Sequence, residues 1–149
     1  MRRYRRGRIS FYTILGIAIL VVGGGWGVTF APMYWDYYNM KQIAKDVALD
    51  WRQNGGVSKA DIARTEERLR VEMGYKNLTD MFNEKSCKVR ASKVSLERSI
   101  DCVWQVYTSY PIIDHEVARE FIVTVIIDRN DDIIESSDVI DLYEEAVAE

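Results

Sequence analysis

The sequence predicts an α+β fold. A long N-terminal transmembrane helix continues into a small domain with about three antiparallel strands and a short C-terminal helix. Three observations predict it. No charged residue occurs from Ile9 to Trp35. Apolar residues then recur at helical spacing as far as Gly55-Gly56, and after Cys87 the hydrophobic period changes to two. The length of 149 residues suits one modest domain, and nine glycines with two prolines fit neither a disordered nor a fibrous chain.

The most apolar stretch, Phe11 to Phe30, reads FYTILGIAILVVGGGWGVTF. At about 1.5 Å per residue it matches the roughly 30 Å hydrocarbon core of a bilayer. Arg2, Arg3, Arg5, Arg6 and Arg8 precede it, and Tyr34, Trp35, Tyr37 and Tyr38 follow it. Arginine favours the cytoplasmic side and amphipathic rings favour the headgroup level. The expected layout is a basic cytoplasmic stub over 1–8, a membrane helix over 9–35 and an extracytoplasmic domain over 36–149. Trp35 and Tyr38 mark the outer boundary.

Two other readings compete for the same stretch. A cleaved signal peptide has a similar basic start, but its apolar region is usually about 7–15 residues and ends in a small-x-small site. Thr29-Phe30-Ala31 is the best candidate, and Pro32 just after it obstructs cleavage. If cut there, the chain is a soluble extracytoplasmic binding domain. Pilin processing requires a small residue before the cut, usually Phe after it, and Glu at the fifth mature position. Here Gly7 is followed by Arg8, and Tyr12 stands at the fifth position. Gly23 and Gly27 form a G-x-x-x-G pair with Gly16 one heptad earlier, a pattern that permits close helix–helix contact. Glycine is also simply common in membrane helices.

Beyond the span, Met40, Ile43, Ala44, Val47, Ala48 and Trp51 fall on one helical stripe that ends at Gly55-Gly56. Ser58 with Asp61 resembles a capping box opening a second helix, for which Gly74 is the expected stop. Arg64 to Arg70 reads as its solvated face, and Leu78 to Phe82 as a short turn. The strands follow: Cys87-Val89-Ala91 in alternation, Ile100 to Tyr107, and a third beginning near Arg119. The third contains FIVTVII, is apolar on both faces and belongs at the centre of the sheet. Ser137 to Ala148 reads as an amphipathic helix with Val139, Leu142, Tyr143 and Ala146 inward.

Charge is unevenly distributed. All 23 acidic residues and the remaining 15 basic ones lie at or beyond Asp36, giving that part a net charge of −8. An acidic body argues against a nucleic-acid partner. Cys87 and Cys102 fall on neighbouring expected strands. They form either a disulfide, worth about 3 kcal/mol for a loop of this size, or two buried thiols. The absence of C-x-x-C excludes a thiol-redox enzyme of that type.

Asp114-His115-Glu116 holds the only histidine and reads as a solvated loop. Asp128, Asn130 and Asp132 match the start of a calcium loop, but Ile133 and Val139 stand where Gly and Glu are required. An acidic turn is the better reading. Asn77-Leu78-Thr79 is a glycosylation sequon that matters only in a eukaryotic secretory pathway. No nucleophile motif, phosphate loop or metal-ligand spacing occurs, so catalytic, cofactor and metal residues are all expected to be absent.

The basic stub, the glycine-containing span, and Ala31-Pro32-Met33-Tyr34-Trp35-Asp36-Tyr37-Tyr38 lead into a helix, the Leu78–Phe82 segment and alternating strands such as Trp104-Gln105-Val106-Tyr107. In this order the chain resembles uncharacterised bacterial single-pass inner-membrane proteins with a pilin-like layout. The resemblance implies a bacterial inner-membrane location and a small periplasmic α+β domain, with no active site to transfer. The expected function is non-enzymatic: a membrane-anchored accessory or scaffold subunit of an envelope complex. Its partners would be the lipid bilayer and another envelope protein, or a second copy of itself. A pseudopilin-like self-assembling subunit is the alternative.

Overall fold

A computed structural model describes residues 11–78, 86–109 and 116–142. Two helices, α1 (Phe11–Asn54) and α2 (Lys59–Tyr75), precede four strands: β1 (Cys87–Ala91), β2 (Arg98–Ser109), β3 (Glu116–Ile127) and β4 (Ile133–Asp141). The strands form an antiparallel meander in the order β1-β2-β3-β4.

α1 is one helix of 44 residues, about 66 Å long at 1.5 Å per residue. Its stripe from Met40 to Trp51 is buried throughout and extends back to Met33 and Phe30. Pro32 lies inside the helix and withholds one backbone hydrogen bond where α1 leaves the domain. The helix ends at Gly55, whose N–H donates to the carbonyl of Trp51 at 2.9 Å. A Cβ at Gly55 would lie 2.2 Å from Trp51 Cδ1, so only glycine permits that close approach.

Ser58 caps α2 reciprocally with Asp61, each side chain accepting a backbone N–H of the other. At the far end Asn77 takes a left-handed φ of 55°, with Asn77 N–H donating to Gly74 O and Leu78 N–H to Met73 O. This is a Schellman turn with Asn77, rather than Gly74, supplying the left-handed residue. Leu78, 1% exposed, covers the end of the helix.

α1 and α2 cover one face of the sheet. Ile100, Cys102 and Trp104 of β2 and Phe121, Val123, Val125 and Ile127 of β3 meet the helix stripe in a single core with Leu69 and Met73. Rings cross this interface: Tyr34 packs edge-on against Phe121 at 5.9 Å and Tyr37 lies 5.3 Å from it, while within the sheet Trp104 stacks on Phe121 at 5.4 Å. α1 runs along the strands, as its polar contacts show. Tyr34 meets Arg119, Lys41 donates to Ser137 Oγ at 3.2 Å, Lys45 pairs with Glu135 at 2.6 Å, and Arg52 reaches Asp131 O at 3.4 Å.

The sheet has four strands where the sequence led us to expect about three. Ser137 to Asp141, expected to open a helix, is the second half of β4. Val139 does face inward, but as the strand partner of Phe121 rather than on a helix. The open edge of β3 offers unpaired backbone groups, and pairing with it outweighs weak helical spacing in a short segment. Residues 143–148 of that expected helix lie outside the described residues, as do residues 79–82 of the short turn. β2 and β3 each begin earlier than expected, at Arg98 and Glu116. β3 is interior to the sheet, paired on both sides.

Candidate functional site

Of the residues singled out for chemistry, those that the structure describes gather only in the turn at Asp128–Asp132 and in the Cys87–Cys102 pair. Asp114 and His115 lie outside the described residues, and Glu116 is exposed at the start of β3. Asp128 folds back on its own turn, accepting N–H bonds from Asn130 at 2.8 Å and Asp132 at 2.9 Å. Those bonds, that of Asp132 first, hold its carboxyl below the ordinary aspartate range. Asp131, with a φ of 63°, turns instead to Arg98. Among the described residues no cluster of His, Cys, Asp and Glu is arranged to hold a metal ion.

Cys87 and Cys102 stand directly opposite in the β1–β2 register, and their sulfurs are bonded. Cys102 is fully buried in the core, so the disulfide ties the short edge strand β1 to the centre of the sheet.

The remaining candidates lie on α1. From Phe11 to Thr29 none of its residues is buried, although the stretch is long and apolar enough to cross a bilayer. Gly16, Gly23 and Gly27 have nothing within 4 Å of where a Cβ would stand, so their helix faces are open. Trp35 and Tyr38 are 67% and 56% exposed on the side of α1 turned from the sheet. The arginines expected to set orientation, Arg2, Arg3, Arg5, Arg6 and Arg8, lie outside the described residues.

Where α1 leaves the domain, Arg119 donates to the Tyr34 hydroxyl. Its guanidinium lies 5.6 Å from the Phe30 ring and 5.7 Å from that of Tyr34, with Asp141 at 3.9 Å. At the other end Arg98, 7% exposed, donates to the carbonyls of Trp51 and Gly55 and pairs with Asp131. These two arginines fix α1 to the sheet at both ends of the core, and sequence reading missed both. The signal was present. Arg98 is in phase with Ile100 and Cys102, and Arg119 with Phe121 and Val123, so running each alternation one step back reaches them.

The whole is a long apolar helix followed by a small antiparallel-sheet domain, a layout like that of pilins. Comparison with protein-family models, with curated proteins and with solved structures finds no match.

Proposed function

We propose that this chain is a non-enzymatic, single-pass membrane protein that serves as an accessory or scaffold subunit of a bacterial envelope complex through protein–protein contacts. The observation that carries the reading is the uncovered apolar half of α1, continuous with a half that is locked to the domain. In water such a stretch exposes a large apolar surface, and a bilayer removes that cost. Residues 11–29 span about 28 Å at 1.5 Å per residue, close to the hydrocarbon thickness.

In this reading the arginines at 2–8 stay cytoplasmic and the sheet domain is periplasmic. The Cys87–Cys102 bond suits that oxidising side. Trp35 and Tyr38 lie at the headgroup level, just beyond Arg119 and its two rings. An unbroken α1 then transmits the position of the membrane directly to the sheet. The test is protease accessibility in spheroplasts. The domain should be digested from outside while the N-terminus stays protected. Replacing the five stub arginines with Glu should invert or scramble that pattern, and an unchanged pattern would sink the orientation.

The open faces at Gly16, Gly23 and Gly27 favour a second reading, a pseudopilin-like subunit whose helices pack together. It predicts homotypic crosslinks from Gly23→Cys, which an anchor surrounded by lipid lacks.

A further inference from the structure

The helices cover only one face of the sheet. The other face carries Val103, Tyr107, Ile122, Ile126, Ile134 and Ile140, with Val103 40% and Ile134 53% exposed. A sheet with one solvated face normally alternates apolar inward with polar outward, and β3 departs from that pattern with isoleucine on the outer side. The charges on this outer face are segregated. Lys88 and Arg90 stand on β1, while Asp101, Glu116, Glu120 and Asp138 stand on β2, β3 and β4.

We propose that the outer face of the sheet docks a second copy of this chain, two sheets stacking face to face about a two-fold axis parallel to the strands. That axis places β1 of one copy over β4 of the other with heights along the strands preserved, so Lys88, level with Ser136, comes within side-chain reach of Asp138 one alternation away, twice by symmetry. The apolar residues of β2 and β3 meet at the centre, at the roughly 10 Å spacing of stacked sheets. A second argument selects the same axis. Because α1 runs along the strands, a two-fold along them leaves both helices pointing the same way, so both apolar halves enter one bilayer. A two-fold across the strands would point them in opposite directions. The inner faces are already covered by α1 and α2, so assembly closes at two, in layers helix–sheet–sheet–helix.

With β1 over β4 and β2 over β3, strands about 4.8 Å apart rising about 3.3 Å per residue overlap across a footprint of about 540 Å² per copy, or about 1,080 Å² together. That is less than the roughly 1,200 Å² of a stable interface in solution. Confinement of both copies to one membrane raises their effective concentration and offsets the shortfall. In this respect the proposal rests on membrane anchoring.

The experiment uses the full chain in liposomes, with Ile122→Cys and a bis-maleimide reaching about 10 Å. Ile122 lies beside the axis, and the native cysteines are bonded to each other. The expected result is a crosslinked dimer and nothing larger. Val103→Asp should lower the yield at least about tenfold, as loss of a central interface contact does. Lys88→Glu should lower it as well, and adding Asp138→Lys should restore it. No Ile122→Cys dimer overturns the proposal: a Gly23→Cys crosslink in its place assigns association to the helix, and neither crosslink leaves the face to a different occupant. A yield indifferent to both Val103→Asp and the charge reversals also overturns it. Recovery of the chain outside the liposomes would sink the membrane reading instead, and a dimer crosslinked at Ile122 in that soluble fraction would leave the docking face standing.

Discussion

From Phe11 to Thr29 α1 buries nothing, whereas from Phe30 to Trp51 it buries eight residues. Both halves are rich in apolar side chains, and they differ in how these are arranged around the axis. The first half is apolar all round, with the exposed Ile14, Leu15, Ile17, Ile19 and Leu20 spread over every face. The second, beyond the exposed Trp35 and Tyr38, confines them to a stripe and places Lys41, Lys45, Asp46 and Arg52 around it. A stripe specifies a protein neighbour on one side and water on the other, and a continuous apolar surface specifies an apolar surrounding. One helix thus changes its required environment at Phe30 without a break in its backbone.

The sharpest way to break this comparison is to put the same kind of change in each half. Leu20→Arg places a charge at the middle of the exposed half, and we expect loss of membrane retention in fractionation with the domain's thermal unfolding unchanged. Met40→Ala, at a fully buried site, should leave retention intact and destabilise the domain by about 2–5 kcal/mol in a denaturant titration. If both variants lose retention and fold together, the two halves are not independent.

Next in size is the disulfide. Cys87→Ser with Cys102→Ala should cost about 3 kcal/mol in the chain-entropy account. Adding reductant to the native chain should reproduce most of that loss and do nothing to the variant. An equal response of both proteins to reductant would show that the bond contributes no stability.

The arginines test how the packed half is held at its end. Arg98→Met keeps the apolar stem beside Trp51, 6.0 Å from the guanidinium, but removes the guanidinium bonds to the carbonyls of Trp51 and Gly55, of which that of Trp51 keeps the Gly55 N–H. The expected loss is about 2 kcal/mol, with early fraying of the C-terminal turn of α1 in hydrogen exchange. Arg119→Met, at a more exposed site, should cost less.

How much of this was legible follows from what each signal depends on. The stripe from Met40 to Trp51, the cap at Ser58–Asp61 and the alternation at Cys87–Ala91 are set by neighbours in sequence, and each stands where its spacing put it. β4 was misread because an edge strand is stabilised mainly by the backbone of β3, which leaves little trace in its own composition. The arginine contacts were missed because a charged residue in phase with an apolar face reads as a strand's end unless its partner is known. The outer face of the sheet was half legible: FIVTVII declared a strand apolar on both sides, but β4 and the charge segregation across the sheet required the register.

The smallest expected effect concerns acid. Asp61 and Asp128 both have their carboxyls held below the ordinary range, Asp61 chiefly by the Ser58 hydroxyl and Asp128 chiefly by the N–H of Asp132. A depressed folded-state pKa means that the unfolded chain binds protons more readily, so the stabilisation is complete above the unfolded aspartate value of 3.8. It fades as pH falls through that value toward the lower folded one. Both groups are at the surface, one at the start of α2 and the other in the turn before β4, and neither touches the exposed half of α1. Unfolding midpoints should therefore be flat from neutral pH down to about 5 and fall below about 4, with membrane retention unchanged across the range. Asp61→Asn with Asp128→Asn should flatten the acid limb; a limb as steep as the native one would place the acid sensitivity elsewhere in the domain.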